Sequence, residues 1–346
     1  MLAGVLSQLA PGKVVHELCS FGDALIEQLT GSVYKSKKME KGVAFPTCVS
    51  LNECVGHNSP LKSDTRVLAD GDVVKVDLGV HLDGHIALVA HTVVLGAGPE
   101  RPVRGAAGDV IAAAHCAAEV ALRLIKPGAK NSAVTAELER VAAAFGVQAI
   151  VGVQSFQLQQ FVLEGATKIA LKADVENKVE ERAFAANEAY AVDICFSTGD
   201  GKPRELETRT TVFKRTVDVS YHLKMKASQR LIAEVAKKHP TLPFTLRAFD
   251  DEKEAKLGVT ECLKHGVLGA YPVLFEREGA VVAQFRFTVL LLPGGSQKVT
   301  GLDLPAFVGT DKKLPDDLAA VRASVPYVVK AKKEKAAAPA SSAMVE

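Results

Sequence analysis

The chain has 346 residues, 48% hydrophobic and 24% charged, with 42 basic against 40 acidic side chains. That length supports one large or two ordinary folded domains, and the composition is that of a globular protein rather than a fibrous or low-complexity one. No uninterrupted apolar run is long enough for a bilayer, and the opening MLAGVLSQLAPGK lacks the basic residues that lead a secretory signal, which argues against membrane and secreted classes. Six cysteines without CxxC spacing read as reduced, mostly buried thiols of a cytosolic or nuclear protein.

Residues 13–31 have a helical period, with Val14, Val15, Leu18, Leu25, Ile26 and Leu29 as the apolar side. Residues 34–41 then hold Lys35, Lys37, Lys38 and Lys41 against one glutamate, either a solvated loop or a phosphate contact. Residues 44–52 lead as a strand into the loop that bears His57.

The stretch 71–96, GDVVKVDLGVHLDGHIALVAHTVVLG, predicts two strands joined at Asp83-Gly84, a strong hairpin signal. A turn centred there sets Asp77 opposite Ala90, with Leu88 as its diagonal neighbour. Val74, Val76, Leu78, Val80, Ala87, Val89, His91, Val93 and Leu95 then share a core face, while Lys75, Asp77, Gly79, Leu88, Ala90 and Thr92 floor a cleft. A lone aspartate on such a face is commonly only solvated. A second carboxylate at 88 would have brought two oxygen donors within reach of cations, so the hairpin reads as a metal site lacking part of its ligands.

Residues 106–125 form a second helical stretch, stopped by Lys126-Pro127-Gly128. Asn131 or Ser132 is the expected cap of the next helix, which ends at Phe145 before Gly146. Residues 189–196, a turn at 197–203 and residues 210–214 read as a second hairpin-like unit. Val192-Asp193-Ile194 in it echoes Val76-Asp77-Leu78, which hints at an internal duplication.

Residues 209–247 carry Arg209, Lys214, Arg215, Lys224, Lys226, Arg230, Lys237, Lys238 and Arg247 against only Asp218 and Glu234. Leu223, Ala227, Leu231 and Val235 recur there at helical spacing, so residues 221–239 predict an amphipathic helix, basic outside, ended by Pro240 and Pro243. This is either a solvated face or a polyanion surface. Residues 257–265 suggest another short helix. Residues 269–292 return to strand in two runs around Glu278-Gly279, with Gln284, Arg286 and Thr288 on one face and Phe285, Phe287 and Val289 on the other. Residues 328–346 end in a low-complexity, lysine-containing tail, expected to be disordered.

Taken together, AFPTCVSLNECVGHNSP, DVVKVDLGVHLDGHIALVAHTVVL, AYAVDICFSTGDGK and VVAQFRFTVLLLP resemble the type 2 methionine aminopeptidases of the pita-bread superfamily. LKSD at 61–64, PFTLRAF at 243–249 and QFRFT at 284–288 look closer still to the ErbB3-binding, or proliferation-associated, protein family. The resemblance, which spans about residues 10–300, implies an α+β pita-bread (creatinase/aminopeptidase) fold over residues 1–327. Two pseudo-symmetric αβ halves would surround a curved antiparallel sheet, with a helical insert at about 204–272.

Active peptidases of that kind hold two metals on two Asp, one His and two Glu, with a further His beside the substrate. By the same resemblance those ligand positions fall on Asp77, Leu88, Phe156, Asp193 and Arg286, and the substrate-side histidine on His57. Only Asp77 and Asp193 remain oxygen donors, so the expectation is a pseudoenzyme without a metal cofactor. The resemblance further implies binding to rRNA and the large ribosomal subunit near the exit tunnel, in cytoplasm and nucleus or nucleolus; a monomer is the default expectation. Candidate contacts are Lys214, Arg215, Lys224, Lys226, Arg230, Lys237, Lys238 and Arg247, with the 34–41 lysines as a second surface. The alternatives are an adaptor for signalling or transcription proteins, or a residual metallopeptidase using Asp77, Asp193 and His57.

Overall fold

The computed structural model describes residues 1–176 and 178–327, so the expected tail, 328–346, lies outside the described residues. A short helix that the pattern did not announce, α1 (Leu2–Leu6), buries Leu2 and Val5 beside α2 (Val15–Ser32). Helix α2 buries Val15, Leu18, Cys19 and Ile26, but Leu29 is 40% exposed rather than part of the apolar side. Next come β1 (Lys41–Leu51), β2 (Cys54–Gly56), β3 (Val73–Leu82) and β4 (His85–Val94). Strand β1 tolerates Pro46 because it lies at the sheet edge, and its register slips between Phe45 and Cys48.

The β3–β4 hairpin has the expected register, with Asp77 opposite Ala90 and Gly79 opposite Leu88. Asp83 and Gly84 both take positive φ, 52° and 77°, as a two-residue turn matched to strand twist requires. Val74, Val76, Leu78 and Val89 face α2 in one apolar cluster.

Helices α3 (Gly105–Leu124) and α4 (Asn131–Phe145) follow. Against expectation, α3 is long and apolar enough to cross a membrane by length and composition; here it is the spine of the largest core, most of its length buried. Asn131 does not cap α4 in the expected way. It is buried inside the first turn and ties loops together, its Nδ2 donating to the Lys168 and Glu180 carbonyls and its Oδ1 accepting from the Arg182 amide. Gly146 closes the helix in the left-handed region.

Strands β5 (Gln148–Ala149), β6 (Gln154–Leu158), β7 (Lys168–Ala170) and β8 (Glu188–Ser197) continue the chain. Then come β9 (Arg204–Glu205), β10 (Val212–Arg215), α5 (Lys226–Lys238), β11 (Phe244–Thr245), α6 (Glu252–Lys264), β12 (Leu268–Tyr271) and β13 (Leu274–Phe275). The last elements are β14 (Val282–Leu292), β15 (Gly295–Lys298) and α7 (Asp316–Ala323).

The main sheet has nine strands in the order β1-β3-β4-β14-β8-β6-β7, with β15 beside β14 and β5 beside β8. This corrects the second hairpin read from the sequence. Residues 210–214 do not return beside β8; β10 joins a separate sheet, β11-β10-β12, and β8 instead lies between β6 and β14, paired with β14 from Val282–Ser197 to Leu291–Glu188. The two runs around Gly279 join different sheets: β13 pairs with β2 and β9, and β14 lies in the main sheet.

Between β8 and β14, α5, α6 and the small sheet close over Phe213, Leu231, Val235, Phe244, Val259 and Cys262. Helix α5 begins at Lys226, later than the predicted 221, because the Glu261 carboxylate holds the amides of Lys224 and Met225 in the approach to it. Helix α6 starts earlier than predicted, at Glu252, where Asp251 accepts from the amides of Lys253 and Glu254. All six cysteines are free and buried.

Phe285, Phe287 and Val289 of β14 enter the core under α3, each burial contributing roughly 1.5–3 kcal/mol. The alternate residues, Gln284, Arg286 and Thr288, therefore face the other side of the sheet, where the candidate site lies.

Candidate functional site

Four strands place one row of side chains across the sheet: Asp77 on β3, Ala90 on β4, Arg286 on β14 and Asp193 on β8. Directly opposed residues project to the same side, so the row is a consequence of register. Ala90 carries only a methyl group. A long side chain on β14 can therefore lie over it and reach β3, two strands away.

Arg286 does so. Its Nη1 donates to Asp77 Oδ2 at 3.0 Å and Oδ1 at 3.3 Å, and its Nη2 lies 2.9 Å from Asp193 Oδ2. Gln284 Nε2 donates to Asp193 Oδ1 at 2.9 Å, and the Asp193 amide donates to Ser155 Oγ at 2.9 Å. Burial pushes the Asp77 carboxyl up to about 6 against the pull of Arg286, and Asp193 adds to the rise. Burial also works against the guanidinium charge, but Asp193 and Asp77 outweigh it and hold Arg286 above its ordinary value. The planar fork suits two carboxylates at once, which an ammonium would not.

Leu88 and Phe156, at two further positions singled out from the sequence, offer no ligand atom. Leu88 is buried with Phe45, Leu158, Leu163 and Ala191, and its amide donates to Thr288 Oγ1 at 2.8 Å. The Phe156 ring sits beneath the Lys168 ammonium, 5.4 Å from its centroid. Among the described residues, no group of three or more His, Cys, Asp or Glu is arranged to hold a metal ion.

His57 stands at the rim with φ of 61°, a left-handed conformation that costs a non-glycine residue energy. Its Nδ1 lies 3.1 Å from the Pro272 carbonyl, so that nitrogen donates and Nε2 is left as an acceptor. Burial lowers its pKa, which keeps the ring neutral. The ring packs against Phe45 and Tyr271, and the Tyr271 hydroxyl donates to Glu164 Oε1 at 2.6 Å. These groups and Arg286 enclose a cavity of about 280 Å³. Sequence reasoning missed Ser155, Glu164 and Tyr271. The Glu164–Tyr271 bond spans 107 positions and leaves no local pattern.

The basic residues divide into available and committed ones. Lys224, Lys226 and Lys237 are exposed and, among the described residues, form no ion pair. Arg230 pairs with Glu254 and Lys238 with Glu234, each at 2.6 Å on the surface. Lys214 and Arg215 are half-buried on β10 at an opening of about 760 Å³. Arg247 corrects the sequence reading. Its side chain is only 6% exposed and donates to Asp23, Ser59 Oγ and the Pro60 carbonyl, so it fastens the insert to α2 instead of facing solvent. Lys35 and Lys38 are exposed, Lys37 lies over the Tyr34 ring at 5.5 Å, and Lys41 donates to the Val33 carbonyl at 2.6 Å.

Comparison with known proteins places this geometry among relatives. A model of metallopeptidase family M24 matches residues 1–162. ERBB-3 binding protein 1 of Solanum tuberosum is 50% identical over 299 residues, which is 86% of this chain and 76% of that protein. Proliferation-associated protein A of Dictyostelium discoideum is 44% identical over 344 residues, 99% of this chain and 88% of that one. Among solved structures, a thermophilic Arx1 matches with a TM-score of 0.88 at 29% identity, covering 94% of each chain.

Proposed function

This chain belongs to the ErbB3-binding, or proliferation-associated, protein family, a branch of the methionine aminopeptidase-like proteins with the pita-bread fold, and we propose on that premise that it is a catalytically inactive member that binds RNA and the large ribosomal subunit. The observation that carries the loss of catalysis is Arg286, whose guanidinium binds both remaining carboxylates. A fixed cation between Asp77 and Asp193, with Leu88 and Phe156 apolar, does not fit a pair of divalent ions that need hard oxygen and imidazole donors. No hydrolytic step is therefore assigned to this site. Metal analysis of the purified protein and an assay on Met-initiated peptides test the point: stoichiometric metal with turnover would overturn it.

The binding half of the reading is supported by Lys224, Lys226 and Lys237, all exposed on the insert. Cations on a helix face follow a phosphate backbone without reading sequence, and the counterions they release make affinity fall steeply with salt. By family resemblance the docking site lies near the exit tunnel, and the protein divides between cytoplasm and nucleolus. Co-sedimentation with purified large subunits over a salt series, beside a Lys224→Glu, Lys226→Glu, Lys237→Glu variant, is the direct test. Binding that fades with salt and is missing in the variant is expected. Equal sedimentation of the two proteins moves the interface elsewhere, and no binding at any salt sinks the ribosome reading.

A second reading, an adaptor for signalling or transcription proteins, draws on exposed apolar side chains of the same insert: Val217, Tyr221, Met225 and Leu257 are 55%, 40%, 43% and 61% exposed. Partner capture that survives nuclease would favour it.

A further inference from the structure

Two openings meet at one hydrogen bond. Glu164 and Tyr271, joined at 2.6 Å, line both the 280 Å³ cavity over Arg286 and the 760 Å³ opening that carries Lys214 and Arg215. The inner cavity is walled by rings. Phe156 lines it, and Phe45, His57 and Tyr271 pack at its rim with centroids 5.4–5.7 Å apart.

Its carboxylates are already engaged, Asp193 by Arg286 and Gln284, and Glu164 by the Tyr271 hydroxyl. An entering ammonium group would meet no free carboxylate. Among the described residues, the hydrogen-bonding groups left without a protein partner are of another kind. They are the Gln154 amide and His57 Nε2. Together they offer a neutral donor–acceptor pair and one further acceptor beside flat aromatic walls.

A nucleobase has that complement: π faces that stack on rings, and an edge of mixed donors and acceptors. The volume suits one base and excludes a duplex. Lys214 and Arg215, which form no ion pair among the described residues, stand in the adjoining opening where a flanking phosphate would lie.

We propose that the cleft receives a single unpaired nucleobase of an RNA strand whose neighbouring phosphate rests on Lys214 and Arg215. This builds on the RNA-binding reading and adds a site to it. The former metal face then serves as a base pocket, with Arg286 at its floor.

The test uses the full chain and a short single-stranded oligoribonucleotide carrying one fluorescent adenine analogue and a distal dye. Binding is expected to quench the analogue by stacking. Phe156→Ala should weaken binding about tenfold and restore the fluorescence, as loss of one stacked base does. Gln154→Ala, which removes no side-chain hydrogen bond among the described residues, should weaken binding with the fold intact. Lys214→Glu should weaken it and flatten its salt dependence.

Oligonucleotide binding with unchanged analogue fluorescence, equal in Phe156→Ala and Gln154→Ala, overturns the pocket while leaving the RNA reading standing. Absence of oligonucleotide binding at any salt also overturns it, and ribosomal sedimentation then decides the RNA reading separately. A short peptide that occupies the cavity where the oligonucleotide does not would reassign it to a peptide ligand.

Discussion

Arg286 and Arg247 are both buried cations, yet their surroundings balance them differently. Arg286 meets two buried carboxylates inside one sheet, so its immediate site carries an excess of negative charge. Arg247 meets one carboxylate, Asp23, whose side chain is 19% exposed, and otherwise a hydroxyl and a carbonyl. The first holds strands that the chain must bring together from far apart. The second joins an insert to a helix at its margin. Lys75 extends the comparison: it is 1% exposed, and the hydrogen bond its ammonium makes is to the Asn52 carbonyl. A buried cation is tolerable in proportion to the charge and hydrogen bonds that surround it.

Removing Arg286 should have the largest effect. Arg286→Met leaves two carboxylates facing each other without a cation, and a loss of about 3–5 kcal/mol in chemical denaturation is expected. Adding Asp77→Leu and Asp193→Leu to that variant should recover most of it; a single variant as stable as the parent would mean that the guanidinium does not neutralise the row. Arg247→Met should cost less, about 1–3 kcal/mol, because Asp23 reaches water. Its sharper signature is faster proteolysis between β8 and β14, and a variant cut no faster than the parent would show that the insert is held by other contacts.

Lys75 sets the sign of the third test. Burial lowers its pKa from 10.5 to about 8, so between those values the unfolded chain binds the proton and the folded one does not. This group's contribution to stability therefore rises with pH through that window, and at neutral pH its buried charge is a burden. Lys75→Met should be more stable than the parent at pH 7, on the order of 2 kcal/mol, and should lose the rise between about pH 8 and 10. The Asn52 carbonyl keeps a partner, the Val282 amide. A Met variant less stable at pH 7 would show that the ammonium is well accommodated. The smallest effect belongs to Leu29→Ala, within about 0.5 kcal/mol, because that side chain faces solvent.

What the sequence disclosed follows the range of the interactions. The β3–β4 register was legible because Asp83-Gly84 fixes the turn and alternation fixes the faces. The face assignments on β14 were legible for the same reason. The partner of β8 was not. Residues 210–214 share its alternation and lie close in sequence, but β14 completes the main sheet and β10 takes its neighbours from within the insert. Arg247 was grouped with its basic neighbours because charge clustering is a local signal, whereas Asp23 lies 224 positions away. Family resemblance aligned Asp77, Asp193 and Arg286 to one site. The three-way contact itself depends on Ala90, which no motif marks.

The position of β14 also sets an order of events during synthesis. It is the strand between β4 and β8, yet it is made after the whole insert. Until residues 282–292 emerge, β4 and β8 each present an unpaired edge, while the insert can already close around its own small core. The nascent protein therefore passes through a stage with two open sheet edges, and one late strand closes both.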